Sequence, residues 1–224
     1  MVSKLAAGVW QFELRGVSAY LVDDDGPVLV DAGTPFDADT IRTGIEEVGY
    51  AVEDIEQVLL THYDLDHVGA LAALEPALDA PVYAGAFDGR VLTGQESPPL
   101  TNRKGALQRA MGPFVTQPDL EVRTVADGEE VGSFTAYHTP GHTPGHVAYV
   151  NDQSSVGVLG DLVRESDSAL KPSPWIISYD TTTVQDSIVS LAEQTSEFDV
   201  ACIGHGTPLT SGGSDALHTL ADTV

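Results

Sequence analysis

Thr61-His62-Tyr63-Asp64-Leu65-Asp66-His67 follows directly on the apolar run Val58-Leu59-Leu60. A strand-length apolar run that feeds two histidines and two aspartates puts those polar side chains on a loop at the end of a sheet, where a rigid scaffold can aim them. Residues 68–75, rich in Ala and Leu and stopped by Pro76, predict a helix immediately after the motif. Upstream, residues 8–14, 17–22 and 28–30 are short apolar runs separated by turn residues, including Asp23-Asp24-Asp25-Gly26-Pro27, which reads as an antiparallel meander. Asp37 or Asp39 can cap a helix running to about Val48, with Ile41, Ile45 and Val48 at helical spacing and Gly49 as its stop.

Strand patterns recur at residues 81–84, 120–125, 134–138, 147–150, 156–159 and 198–203, and helical ones at 184–194 and 214–221. Between about 87 and 118 the periodicity weakens while Gly, Pro, Asn and Gln accumulate. This stretch reads as a mobile loop-and-helix insertion over the substrate, within a single domain spanning residues 1–224. Apolar runs stay far below the ~20 residues of a membrane helix, and residues 1–16 lack the continuous apolar core of a secretory leader. A cytoplasmic protein is expected. A lone cysteine, Cys202, excludes an internal disulfide framework and reads as a buried small hydrophobe.

The chain carries 34 acidic against 10 basic residues, a formal charge of −24. Nucleic acid and anionic membranes would be repelled. The acids are scattered and form no single run, which favours a solubility adaptation to concentrated salt, as in a halophilic cytoplasm, over a dedicated basic partner.

Five of the seven histidines fall in loops at strand ends: His62, His67, His142, His146 and His205. They lie in four segments, His62 to His67, Pro140-Gly141-His142-Thr143-Pro144-Gly145, Leu159-Gly160-Asp161 and Ile203-Gly204-His205-Gly206. Imidazoles and carboxylates brought together on loops are what a divalent metal centre needs. Each segment alone says little, and both His142 and His146 follow a glycine, so spacing alone leaves them as alternatives. His138 reads as a neighbour of the site or a core residue, and His218 as solvated.

In this order the four segments resemble the metallo-β-lactamase superfamily, over nearly the whole chain, and residues 62–67 resemble its H-x-H-x-D-H motif. The resemblance implies an α+β fold, a four-layer αββα sandwich with the site along one edge. It implies that His62 and His142 hold one metal, joined by Asp64 if that residue coordinates, that Asp66, His67 and His205 hold the second, and that Asp161 bridges both. It favours His142 over His146 as ligand and makes His146 a neighbour of the site. Asp31 resembles the family's early strand-end aspartate, which orients the ligand loop. Asp66 is also the candidate to handle the proton.

The departure is Asp64, where the family has its second histidine. A carboxylate there makes a harder, less electrophilic centre if it coordinates; the alternative is that the shorter side chain leaves one site weak or empty. Two divalent ions are expected, zinc by resemblance, with iron or manganese favoured by the extra oxygen ligand. The implied chemistry is metal-assisted hydrolysis of a small-molecule ester, lactone or thioester, in which bound water ionises near ~7 and not ~15.7. The alternative reading is an iron-dependent oxidoreductase acting on oxygen or a sulfur compound, and a third is a binding module with a decayed site. The short tail after His205 argues against a glutathione-thioester hydrolase with an added C-terminal domain. Arg90, Arg103, Lys104 and Arg109 concentrate basic charge in the insertion and are the candidates to bind an anionic substrate group.

Overall fold

The computed structural model describes residues 1–23, 25–167 and 169–224; Asp24, part of the acidic turn read from the sequence, lies outside the described residues, as does Ser168. The first apolar runs form four antiparallel strands, β1 (Val2–Ala6), β2 (Val9–Glu13), β3 (Ser18–Asp23) and β4 (Pro27–Val30). Helix α1 (Ala38–Glu47) then returns the chain to strand β5 (Gln57–Leu59), which pairs in parallel with β4. Two short helices, α2 (Leu65–Val68) and α3 (Leu71–Leu74), lead to β6 (Val82–Gly85). Helices α4 (Ala86–Leu92) and α5 (Arg103–Met111) precede β7 (Val122–Val125), and the seven strands form one sheet in sequence order.

The second sheet contains β8 (Glu130–Val131), β9 (Phe134–His138), β10 (Val147–Asn151) and β11 (Val156–Gly160), all antiparallel in succession. A hairpin of β12 (Val163–Ser166) and β13 (Ala169–Pro172) stands outside both sheets. Helix α6 (Thr181–Gln194), strand β14 (Val200–Ile203) and helix α7 (Gly213–Ala221) close the chain, with β14 parallel to β11.

The period-two side-chain alternation of a strand decides the layers. In β3, Ala19 and Leu21 join Ile41, Ile45, Leu71 and Leu74 under the first helical layer, while Tyr20 and Val22 face the other sheet. In β14, Val200 and Cys202 face between the sheets, and Ala201 and Ile203 meet Val184, Ile188 and Leu217 of the second helical layer. Strands covered on both faces read as continuous apolar runs, as residues 17–22 do. The architecture is the αββα sandwich. Cys202 is fully buried in the inter-sheet core, where burial pushes its thiol pKa up and leaves it unreactive. Among the described residues no helix is long and apolar enough to cross a membrane.

Two local readings are corrected, and one hairpin was missed. The helix after the motif begins at Leu65, not Val68, and is broken in two. The amides of Gly69 and Ala70 donate to the carbonyls of Gly33 and Ala32, while the Ala32 amide donates to the His67 carbonyl, so the backbone is stitched to the end of β4 instead of continuing a helix. Gly69 serves close approach and not a positive φ, since a Cβ there would lie 2.4 Å from the Pro35 nitrogen. Asp37 does precede α1, but its carboxylate accepts from the Thr34 amide and hydroxyl and ties the preceding turn, leaving the helix without a side-chain cap. The hairpin of residues 163–172 was not legible as strands, because Arg164, Glu165 and Lys171 interrupt its apolar pattern.

Two tyrosines pin the sheets together at the site edge. The Tyr20 hydroxyl donates to the Ile203 carbonyl (2.6 Å) and accepts from the Ile203 amide (3.0 Å), and the Tyr149 hydroxyl donates toward the carbonyls of Leu60 and Tyr83 at 3.1 and 3.2 Å. Each pin holds the strand end that carries a histidine loop. Tyr20→Phe strands a buried amide and is expected to lower unfolding stability by about 1–3 kcal/mol, measured by denaturant titration; an unchanged midpoint would show that the pin is dispensable.

Candidate metal centre

Asp31 ends β4 with φ 56, a left-handed conformation that aspartate tolerates better than most residues. Its carboxylate is buried and turned toward the motif: Oδ1 accepts from the Thr61 amide (2.9 Å), and Oδ2 from the Thr61 hydroxyl (2.8 Å) and from His67 Nδ1 (2.8 Å). Because the Thr61 hydrogen goes to Asp31, its oxygen accepts from His62 Nδ1 at 2.9 Å. One carboxylate therefore sets two imidazoles, each with Nε2 facing inward. His205 is set in the same way by the Gly16 carbonyl, which accepts from Nδ1 at 2.7 Å, and His142 Nδ1 lies 2.8 Å from the Ser173 hydroxyl. Nothing local in the sequence marks Gly16 or Ser173 as these partners.

The inward atoms gather at two ends of one cluster. At the first, His62 Nε2, His142 Nε2 and Asp64 Oδ2 stand 3.1 to 3.2 Å apart. At the second, Asp66, His67 and His205 offer ligand atoms within 4.8 Å of one another, and Asp66 Oδ2 is 3.5 Å from His205 Nε2. Asp161 lies between: its Oδ2 is 3.4 Å from His142 and 3.3 Å from His205, and its Oδ1 is 3.6 Å from His67 Nε2. Gly204 makes this possible, since a Cβ there would come within 1.9 Å of Asp161 Oδ1.

The buried charges answer one another. Burial alone would push the Asp161 carboxyl up, but His67, His142 and His205 outweigh it and hold the pKa well below the usual range. Burial likewise disfavours His67 as a cation, yet Asp31 and Asp161 raise it to about 10. The hydrogen bond to Asp161 raises His205 to about 9. His142 goes the other way, to about 3, through burial and the neighbouring Lys104. His67 Nε2 and Asp161 Oδ1 are buried with no hydrogen-bond partner, an arrangement that is costly unless a metal cation, displacing the proton from His67 Nε2, completes it. The donor set at this end, two imidazoles and two carboxylates, fits a divalent transition metal.

The other candidates separate. His146 is buried behind His62, with ring centroids 5.4 Å apart, and its Nδ1 meets the Thr139 hydroxyl. It belongs to none of the ligand groups found among the described residues. His138 is exposed, which corrects its reading as a core residue, and its Nε2 lies 3.1 Å from the Pro144 carbonyl of the His142 loop; His218 is exposed as expected. Of the four basic residues proposed to bind substrate, only Lys104 lines the cavity over the cluster. The reason is helical phase: Lys104, Leu107, Gln108 and Met111 share one face of α5, which turns Arg103 onto the Trp175 ring (4.6 Å) and Arg109 toward the Pro98 carbonyl. Arg90 is paired with Glu96 at 2.8 Å. Arg164, not anticipated, lines the cavity instead. That cavity, about 580 Å³, has apolar walls from Leu65, Leu107, Met111, Val163 and Ile177.

Asp88 was also missed. From α4 its Oδ2 accepts from the Tyr63 amide (2.8 Å) and the Thr143 hydroxyl (2.6 Å), and its Oδ1 from the Gly145 amide (3.0 Å). It joins the loop of His62 to the loop of His142. A single aspartate in Phe87-Asp88-Gly89 carries no sequence signal for that.

The sequence pattern of the metallo-β-lactamase superfamily matches residues 13–205. The chain belongs to that superfamily. Membership places it in a superfamily of metallo-hydrolase type without naming a substrate. It is 29% identical over 203 residues to the probable metallo-hydrolase YflN of Bacillus subtilis, covering 82% of this chain and 76% of the relative. The structure of TTHA1623 in a di-iron-bound form aligns with a TM-score of 0.68 at 30% identity, over 89% of this chain and 92% of that one. The metallo-β-lactamase family protein TTHA1429 from Thermus thermophilus aligns with a TM-score of 0.73 at 22% identity, over 98% and 80%, a likeness of fold.

Asp88→Asn exchanges an acceptor for a donor opposite two amides and a hydroxyl. The expected result is a loss of about 1–3 kcal/mol of stability together with weaker metal retention, read by thermal unfolding and elemental analysis. Unchanged values for both would remove Asp88 from the support of the ligand loops.

Proposed function

We propose that the chain is a metal-dependent hydrolase of a small ester, lactone or thioester with a substantially apolar body. The observation that carries this reading is the pair of unpartnered buried atoms, His67 Nε2 and Asp161 Oδ1, at the foot of an apolar cavity. Asp66, His67, His205 and Asp161 would hold a divalent ion at that end, with His62, Asp64 and His142 as the second group of ligand atoms. When bound, such an ion polarises the attacked carbonyl and brings the pKa of water to about 7.

The chain's own residues do the rest. Asp31 and Gly16 keep Nε2 of His67 and His205 pointed inward. Asp66, half-exposed at the cavity lining, is placed to take a proton from the attacking water. Leu65, Leu107, Met111 and Val163 exclude bulk water from the substrate's apolar part. The −24 charge supports a small-molecule substrate over nucleic acid, and Arg164 is the cavity's candidate to meet an anionic group. Zinc is the proposed metal. Iron is the second reading, favoured by the di-iron-bound form of TTHA1623 at 30% identity, and with it an oxidoreductase.

A panel of lactones, esters and thioesters, assayed with and without chelator, tests the function, and elemental analysis of protein purified without added metal separates zinc from iron. Chelator-sensitive hydrolysis is expected, and oxygen consumption without hydrolysis would reverse the choice. Asp161→Ala is expected to strip metal and abolish turnover, whereas His146→Ala should leave metal content nearly intact. If His146→Ala strips the metal instead, the ligand belongs at His146 and not His142.

A further inference from the structure

The two ends of the cluster are not alike. At the Asp66–His67–His205 end, ligand atoms are left without partners. At the other end they are not: Lys104 Nζ lies 2.7 Å from Asp64 Oδ2 and 2.5 Å from His142 Nε2, while Gln108 Nε2 donates to Asp64 Oδ1 at 2.7 Å. Both oxygens of Asp64 are thus taken by α5. The lysine side chain is 4% exposed, so its charge is answered inside the site and not by solvent.

This placement is built into the backbone. Asn102 caps α5 by accepting from the Lys104 and Gly105 amides, and its side-chain amide donates to the Tyr179 carbonyl at 3.0 Å. The Tyr179 hydroxyl in turn donates to Gln108 Oε1 at 2.5 Å, and Gln108 Nε2 also reaches the Tyr63 carbonyl at 3.2 Å. Gly105 lets the helix lie so close, because a Cβ there would stand 2.3 Å from the Pro99 carbonyl oxygen. With α5 fastened at its cap and one turn later, Lys104 projects into the ligand cluster.

We propose that Lys104 is a resident cation at the His62–Asp64–His142 end, so that the protein holds one divalent ion firmly, at the Asp66–His67–Asp161–His205 end, and admits a second only when Lys104 is displaced. The inference rests on the metal-centre reading above. A monovalent ammonium has a directional hydrogen-bonding shell that suits one carboxylate and one neutral imidazole, and Asp64 and His142 supply those two partners. A divalent ion entering the same position would have to break the Lys104–Asp64 pair and leave the lysine charge beside it. Asp64 is thereby assigned chiefly to the lysine, and only conditionally to a metal.

The test is titration of metal-free protein with zinc chloride, and separately with manganese chloride, by calorimetry, with elemental analysis after desalting. The wild-type chain is expected to bind one ion tightly and retain one. Lys104→Met keeps the aliphatic stem and removes the charge, and should tighten the second ion by roughly thirtyfold or more, the effect of taking one positive charge from ~4 Å beside a divalent ion even at the dielectric of water. Lys104→Arg, which keeps the charge, should remain at one ion. Two equally tight ions in the wild-type chain would overturn the proposal, whatever the variants do. One ion in both wild type and a folded Lys104→Met would overturn the role of the lysine while leaving the metal centre standing. No ion bound by the wild-type chain would instead overturn the metal-centre reading itself.

Discussion

A buried carboxylate, Asp31, is the constraint on which the site depends. It sits at the end of β4 in a left-handed backbone conformation and receives three hydrogen bonds, two from Thr61 and one from His67. Burying that charge is tolerable because its partners converge on it, and the same partners are thereby fixed. The motif on the neighbouring strand cannot rotate without stranding it. Around this anchor the backbone of residues 32–33 is stitched to residues 67–70, so the first histidine loop is part of the sheet edge and not a free loop.

The other loops are held by different means to the same end. Tyr20 grips the strand before His205, Tyr149 the strand before His62, and Asp88 joins the loops of His62 and His142. These contacts cross between sheets or between layers. They place four imidazoles and three carboxylates within a few ångströms, where the charges must be mutually compensating: His67 and His205 are drawn toward the cationic form by Asp161, while His142, beside Lys104, is driven toward the neutral form by burial and by that charge. Opposite behaviour of imidazoles a few ångströms apart is what gives the two ends of the cluster different chemistry. The carboxylate at position 64 is stable there because Lys104, 2.7 Å away, and His62 outweigh the cost of burying it.

Much of the cluster was legible in the sequence because its residues follow strand ends, and strand ends are marked by apolar runs breaking into Gly, His and Asp. His62, Asp64, Asp66, His67, His142, Asp161 and His205, which the structure gathers into one cluster, stood out that way, and the superfamily resemblance favoured His142 over His146. The strands themselves showed through continuous apolar runs, since both faces are covered. The supporting groups did not show. Asp88, Gln108, Ser173 and Gly16 act through hydrogen bonds to residues far away in the chain, and nothing local distinguishes them from surface or turn residues.

The acidic balance, most of the strands and the placement of His and Asp at their ends were determined by the sequence alone, because composition and the spacing of apolar residues act locally and repeat along the chain, whereas the layer order was implied only by the superfamily resemblance. Which basic residue enters the site was decided only by tertiary structure. Arg103, Lys104 and Arg109 are neighbours in sequence and equivalent in charge, yet the helical rotation of α5 and its fastening to Tyr179 and Tyr63 turn Lys104 alone onto Asp64. The physical reason is that charge is a property of the residue, while its partner is a property of the helix's orientation, which long-range contacts set.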